Sequence, residues 1–103
     1  MSVYWLTFRI EEIVVDGESS GQRRKALYEY IENCSTNWWL EPTSFIVFDT
    51  DVGIDQLVAG CKNVISDDHD LVLIRAMDTK SARACGVIND GDIFEMMDYL
   101  KHI

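Results

Sequence analysis

The sequence predicts an α+β domain with the element order strand, helix, strand, strand, helix, strand, closed by a C-terminal helical appendage. Three observations predict it. Two segments carry apolar residues at helical spacing, four short segments are rich in β-branched and aromatic residues, and turn residues separate them. At 103 residues the chain has the length of a single domain, 1–103. Its core is expected at about 3–77 and its appendage at about 78–103, since a unit of this size holds one core.

The first strand, Val3–Ile10, alternates. Tyr4, Leu6, Phe8 and Ile10 share one face, and Trp5, Thr7 and Arg9 the other. Asp16-Gly17 and Ser19-Ser20-Gly21 mark a loop. A helix is predicted from Gln22 to Cys34, with Leu27, Tyr30, Ile31 and Cys34 as its apolar stripe. A hairpin follows: Asn37–Leu40 and Ser44–Phe48 flank the turn Glu41-Pro42-Thr43. The second helix is predicted over Val52–Ile65, striped by Ile54, Leu57, Val58, Cys61 and Val64 and capped by Thr50 or Asp51. Leu71–Met77 is so continuously apolar that it reads as a strand buried on both faces. Ala84–Ile88 is predicted as a short strand. A closing helix begins at the capping-box pattern Asp92-Ile93-Phe94-Glu95 and carries Ile93, Met96, Met97 and Leu100 on one face.

Right-handed crossovers turn this order into the split βαβ, or ferredoxin-like, βαββαβ sandwich with helices on one sheet face. The first and third strands are expected at its centre, lying parallel, which would bring Arg9 to the same end of the sheet as Asp49. The helix-free face would then expose Trp5, Thr7 and Arg9. Apolar area left in water on so small a chain predicts a homodimer, through that face or through the final segment.

Composition excludes several classes. Nine basic and eighteen acidic residues give a net charge of −9, which disfavours nucleic acid and favours a basic protein partner. Cys34, Cys61 and Cys85 are odd in number and form no C-x-x-C pair, which fits a reducing cytoplasm. The N-terminal stretch is interrupted by Thr7 and Arg9, so neither a signal peptide nor a membrane span is expected. No phosphate-binding glycine loop or nucleophile elbow is present, and no cofactor or metal is expected.

Four polar or aromatic groups invite a functional reading. Asp49-Thr50-Asp51-Val52-Gly53-Ile54-Asp55 alternates carboxylates, yet a calcium loop counted from Asp49 would place Ile54 and Gly60 where glycine and glutamate are needed. Asp67-Asp68-His69-Asp70 is the densest polar cluster, and a solvated turn is its plainer reading. Arg23-Arg24-Lys25 opposes the helix dipole, so pairing with Glu11, Glu12, Asp16 or Glu18 is expected. Of Trp38 and Trp39, one should pack inward and one outward. Arg9, Asp49 and His69 are left as the candidate polar site, with no catalytic residue assigned.

The first strand, Arg24–Ile31, Trp39–Val47 and Ser66–Ile74 together resemble the small CRISPR-associated ferredoxin-like nucleases, and most of all uncharacterised bacterial relatives of that group. Virulence-associated protein D, an endoribonuclease, is a more distant likeness. The resemblance implies a dimer whose paired aspartates, one at the end of each first strand after an aromatic residue, hold a metal for phosphodiester cleavage. Phe8 and Arg9 occupy those positions here. A guanidinium repels a divalent cation, so no catalytic residue carries over. The expectation is a non-catalytic homodimeric binding protein. A metal-dependent endoribonuclease using other carboxylates and an acidic mimic of nucleic acid are the alternatives.

Overall fold

The computed structural model describes residues 2–78, 80–84 and 86–102. Their elements are β1 (Ser2–Arg9), α1 (Ser20–Cys34), β2 (Asn37–Trp39), β3 (Phe45–Thr50), α2 (Ile54–Val64), β4 (Leu71–Ala76), β5 (Ala82–Ala84), α3 (Asp92–Met96) and β6 (Leu100–His102). The architecture is α+β. A four-stranded sheet has the order β2-β3-β1-β4, and a separate pair joins β5 to β6.

Each adjacent pair in the main sheet is antiparallel, including β1 and β3, whose register sets Val3 opposite Asp49 and Thr7 opposite Phe45. The expected parallel alignment of these two strands is therefore corrected. The α1 crossover returns the chain so that β2 runs in the direction of β1. The hairpin then reverses it, and β3 must run against β1.

Alternation in β1 divides the molecule into two cores. Tyr4, Leu6, Phe8 and Ile10 face α1 and α2 and pack with Leu27, Ile31, Ile46, Phe48, Leu57 and Cys61. The helix start is set by Ser19, whose hydroxyl accepts from the Gln22 amide while the Gln22 side chain accepts from the Ser19 amide. This reciprocal cap places the start at Ser20, ahead of the predicted Gln22. The two helices meet closely at Gly60, where an added Cβ would overlap the Tyr30 ring. The Tyr30 hydroxyl donates to the Gln56 carbonyl at 3.2 Å.

The opposite sheet face is not bare. Val3, Trp5, Trp39, Phe45 and Val47 are covered by Ile93, Phe94, Met96, Met97, Tyr99 and Leu100. Trp5 stacks on Phe45 with ring centroids 6.0 Å apart. The expectation of helices on one face only, with Trp5 exposed, is thus overturned: α3 and its flanking chain supply the second layer. The large apolar residues of this face attract the chain's own last quarter, which needs no second molecule to bury them.

Several local readings change as well. The Asp92–Glu95 capping box does not form; Gly91 is the N-cap without a side-chain bond, and α3 ends at Met96 because β6 follows and pairs in parallel with β5. The strand predicted at Ala84–Ile88 lies earlier, at Ala82–Ala84, and Cys85 falls outside the described residues. The second helix starts at Ile54 with Gly53 as its N-cap, while Thr50 Oγ1 accepts from the Val52 amide just before it. On that helix Leu57 and Cys61 are buried, but Ile54 and Val58 are exposed. Finally, β4 is an edge strand, and Leu71 and Leu73 are each 52% exposed on its outer face.

Candidate functional site

The sheet order separates the candidate polar residues. Arg9 ends β1 opposite Leu71, the first residue of β4. Asp49 lies opposite Val3. Six residues of extended chain, about 20 Å, separate Val3 from Arg9. Arg9 and Asp49 therefore do not meet. Asp49 is instead buried against β2, where its carboxylate accepts from the Asn37 amide at 2.7 Å and from Asn37 Nδ2 at 3.2 Å. This bond fixes the register of the short strand β2. Arg9 is exposed and makes no ion pair among the described residues.

His69 does lie at the Arg9 end. Its Nδ1 is 3.3 Å from the Glu11 carboxylate, and both side chains are about half exposed at 42% and 50%. Beneath them lies a centre that the sequence reading missed. Arg23 and Asp70 form an ion pair at 2.8 Å with side-chain exposures of 2% and 0%.

This pair is fully hydrogen-bonded. Asp70 Oδ2 accepts from Arg23 Nε and from the Ser66 amide, both at 2.8 Å, and Oδ1 from the Glu11 amide at 3.0 Å and Arg23 Nη2 at 3.3 Å. The remaining guanidinium protons go to the carbonyls of Glu11, Ile13 and Glu18. Desolvation pushes the Asp70 carboxyl up, but Arg23 and the two backbone amides outweigh it and hold the group below its ordinary value. The Asp70 hydrogen bond raises Arg23 above its ordinary value, against desolvation. The pair ties the loop after β1 to α1 and to the start of β4.

The expected pairing of the basic trio with nearby carboxylates is corrected accordingly. Arg23 takes backbone carbonyls from that loop and its carboxylate from 47 residues away. The signal was present: Arg23, Leu27 and Ile31 recur at intervals of four on one helix face. Asp70, placed in a solvated turn from sequence, is buried, whereas Asp67, Asp68 and His69 are exposed.

A second anchor holds the C-terminal layer. The Glu41 carboxylate accepts from the amides of Asp90 at 2.8 Å and Asn89 at 2.9 Å, and these bonds keep it below the usual carboxylate range. The Trp39 indole N–H, buried without a well-formed hydrogen bond, adds a weaker pull on the same carboxylate. Trp39 is half-buried on the outer sheet face and Trp38 lies exposed at the β2 edge. Burial pushes the Cys61 thiol up to about 12, so it stays protonated and inert at neutral pH.

On the outer face, the β4 residues beside β1 are apolar or cationic. Register puts Thr7 beside Leu73, Trp5 beside Arg75 and Arg9 beside Leu71, all on the outer face. Around the edge, a cleft of about 450 Å³ runs between α2 and β4, with Val58, Ile65, Leu71 and Val72 as apolar lining and Lys62 and Asp67 among its polar residues. Such an arrangement can hold a partner chain. Among the described residues, no three His, Cys, Asp or Glu side chains converge as metal ligands would.

No protein-family model, curated protein or solved structure matches this chain. Among the described residues, no helix is long and apolar enough to cross a membrane.

Proposed function

We propose that the chain is a ferredoxin-like, homodimeric binding protein of the CRISPR-associated nuclease-like kind. In this reading it acts without catalysis in the cytoplasm and presents an acidic surface to a basic protein partner. The observation that carries the reading is Arg9. It stands exposed at the end of β1, beside Leu71, where the resemblance would place a metal-holding aspartate. A guanidinium with an apolar neighbour gives a cation nothing to bind. The strand order β2-β3-β1-β4, with α1 and α2 packed on one face, supports the ferredoxin-like part.

Charge supports the choice of partner. Of the buried polar residues, Asp49 and Asp70 are the only carboxylates among those described. The other acidic side chains of a chain with net charge −9 line its surface. They repel phosphate backbones and attract cationic protein.

The test combines cleavage and binding. Purified protein incubated with RNA and DNA in magnesium or manganese is expected to leave both intact. It is expected to bind oligolysine with an affinity that falls as salt rises, and to leave an oligonucleotide unbound. Metal-dependent cutting that disappears on changing one carboxylate would replace this reading with the endoribonuclease one. Competition between the protein and DNA for a basic nucleic-acid-binding protein would favour the mimic.

A further inference from the structure

We infer that the open edge of β4 docks a second copy of this chain. The two β4 strands pair antiparallel about a two-fold axis at Leu73 and join two sheets into one. This rests on the homodimer reading and moves the contact away from the Trp5 face, which the chain covers itself.

The edge is unusually open. β4 is terminal in the sheet, so one side of its backbone has no strand partner among the described residues. Natural edges are blunted by charged side chains, lysine above all, or by proline, bulges or short length, and β4 carries one charge, Arg75, near its end. Leu71–Ala76 has neither proline nor lysine, and its register against β1 runs unbroken from Arg9–Leu71 to Tyr4–Ala76. Apolar side chains flank it on both sides. Leu71 and Leu73 stand half exposed on the outer face, and Val58 of α2, 46% exposed, lines the cleft on the other side of the edge. An added strand would fill the cleft between α2 and β4. At the opposite edge, β2 has three residues and its Trp39 is already covered.

The strand complements itself. With Leu73 on the axis, Leu73 faces the partner's Leu73, Leu71 faces the partner's Arg75 and Val72 faces the partner's Ile74. No like charges are directly opposed. An axis at Arg75 would set two guanidinium groups against each other, which disfavours that register. A two-fold axis also closes the assembly at two copies. A foreign basic strand is disfavoured here, because Arg75 lies on the edge itself and Asp67 in the cleft is paired with Lys62 at 3.7 Å. The net charge of −9 opposes association of two copies from a distance. Salt screens that repulsion over about 8 Å, so dimerisation is expected to tighten as salt rises.

Sedimentation of the full chain from about 1 to 100 μM, with hydrogen exchange at both ends of that range, tests the inference. A dimer is expected. L73K is expected to weaken it by about 30-fold or more, as loss of a central apolar contact does. T7K, on the outer face but one strand in from the edge, should leave it intact. In the wild-type chain the β4 amides directed away from β1 should gain protection with concentration, a readout independent of any variant. A wild-type monomer at 100 μM would overturn the homodimer reading and this inference with it. A dimer that survives L73K, is lost with T7K, or leaves those amides equally exchangeable at both concentrations would overturn the β4 contact alone.

Discussion

Replacing Asp70 by asparagine tests the buried centre most directly. Each carboxylate oxygen accepts two hydrogen bonds, all from N–H donors. The amide is isosteric, but either orientation turns an NH₂ group toward two of those donors. The substitution also leaves Arg23 charged, buried and without its counter-ion. Breaking one partner of a buried pair costs about 3–5 kcal/mol. The pair is closed to solvent yet shallow, covered by the loop after β1, so the lower end, about 3 kcal/mol, is expected. In urea, where small domains have slopes of about 1–3 kcal/mol per molar, that loss lowers the midpoint by about 1–3 M. The pH dependence follows from the depressed carboxyl of Asp70. A group whose folded value lies below its unfolded one stabilises the fold above the unfolded value, near 3.8 here, and loses that contribution as pH falls through the folded one. The gap between wild type and D70N should therefore be full at pH 7 and close in strong acid. Equal midpoints at pH 7, or a gap that persists unchanged into acid, would refute the reasoning.

Three further outcomes are expected. Gly60→Ala should destabilise by about 1–3 kcal/mol through overpacking against Tyr30, although alanine gains about 1 kcal/mol in helix propensity; in a Tyr30→Ala background the same change should become stabilising in thermal melts. Glu41→Gln should speed proteolysis within 86–91, because the Asn89 and Asp90 amides lose their charged acceptor. A double-mutant cycle on Arg9→Ala and Asp49→Ala should be additive within about 0.5 kcal/mol, since Asp49 on β3 lies opposite Val3, at the end of β1 away from Arg9.

The sequence by itself determined the element types in the first three-quarters of the chain and the inward face of β1. Both are local properties: side chains alternate along a strand, and apolar residues recur every three or four along a helix. Tyr4, Leu6, Phe8, Leu27 and Ile31 are buried for that reason. Tertiary structure decided what depends on direction and on distant partners. Whether β1 and β3 run parallel follows from how two connections add, and that placed Asp49 at the end away from Arg9. Continuous apolarity made β4 read as buried on both faces, whereas Leu71 and Leu73 on its outer face are half exposed, because the C-terminal layer covers Trp5, Val47 and Trp39 instead. Arg23 and Asp70 are ordinary charged residues until a fold brings them to 2.8 Å and excludes water. The C-terminal layer has the weakest local signals, with α3 only five residues long. Its place is set by the apolar face of Trp5, Val47 and Trp39 that it covers, a surface that exists only once the sheet has formed.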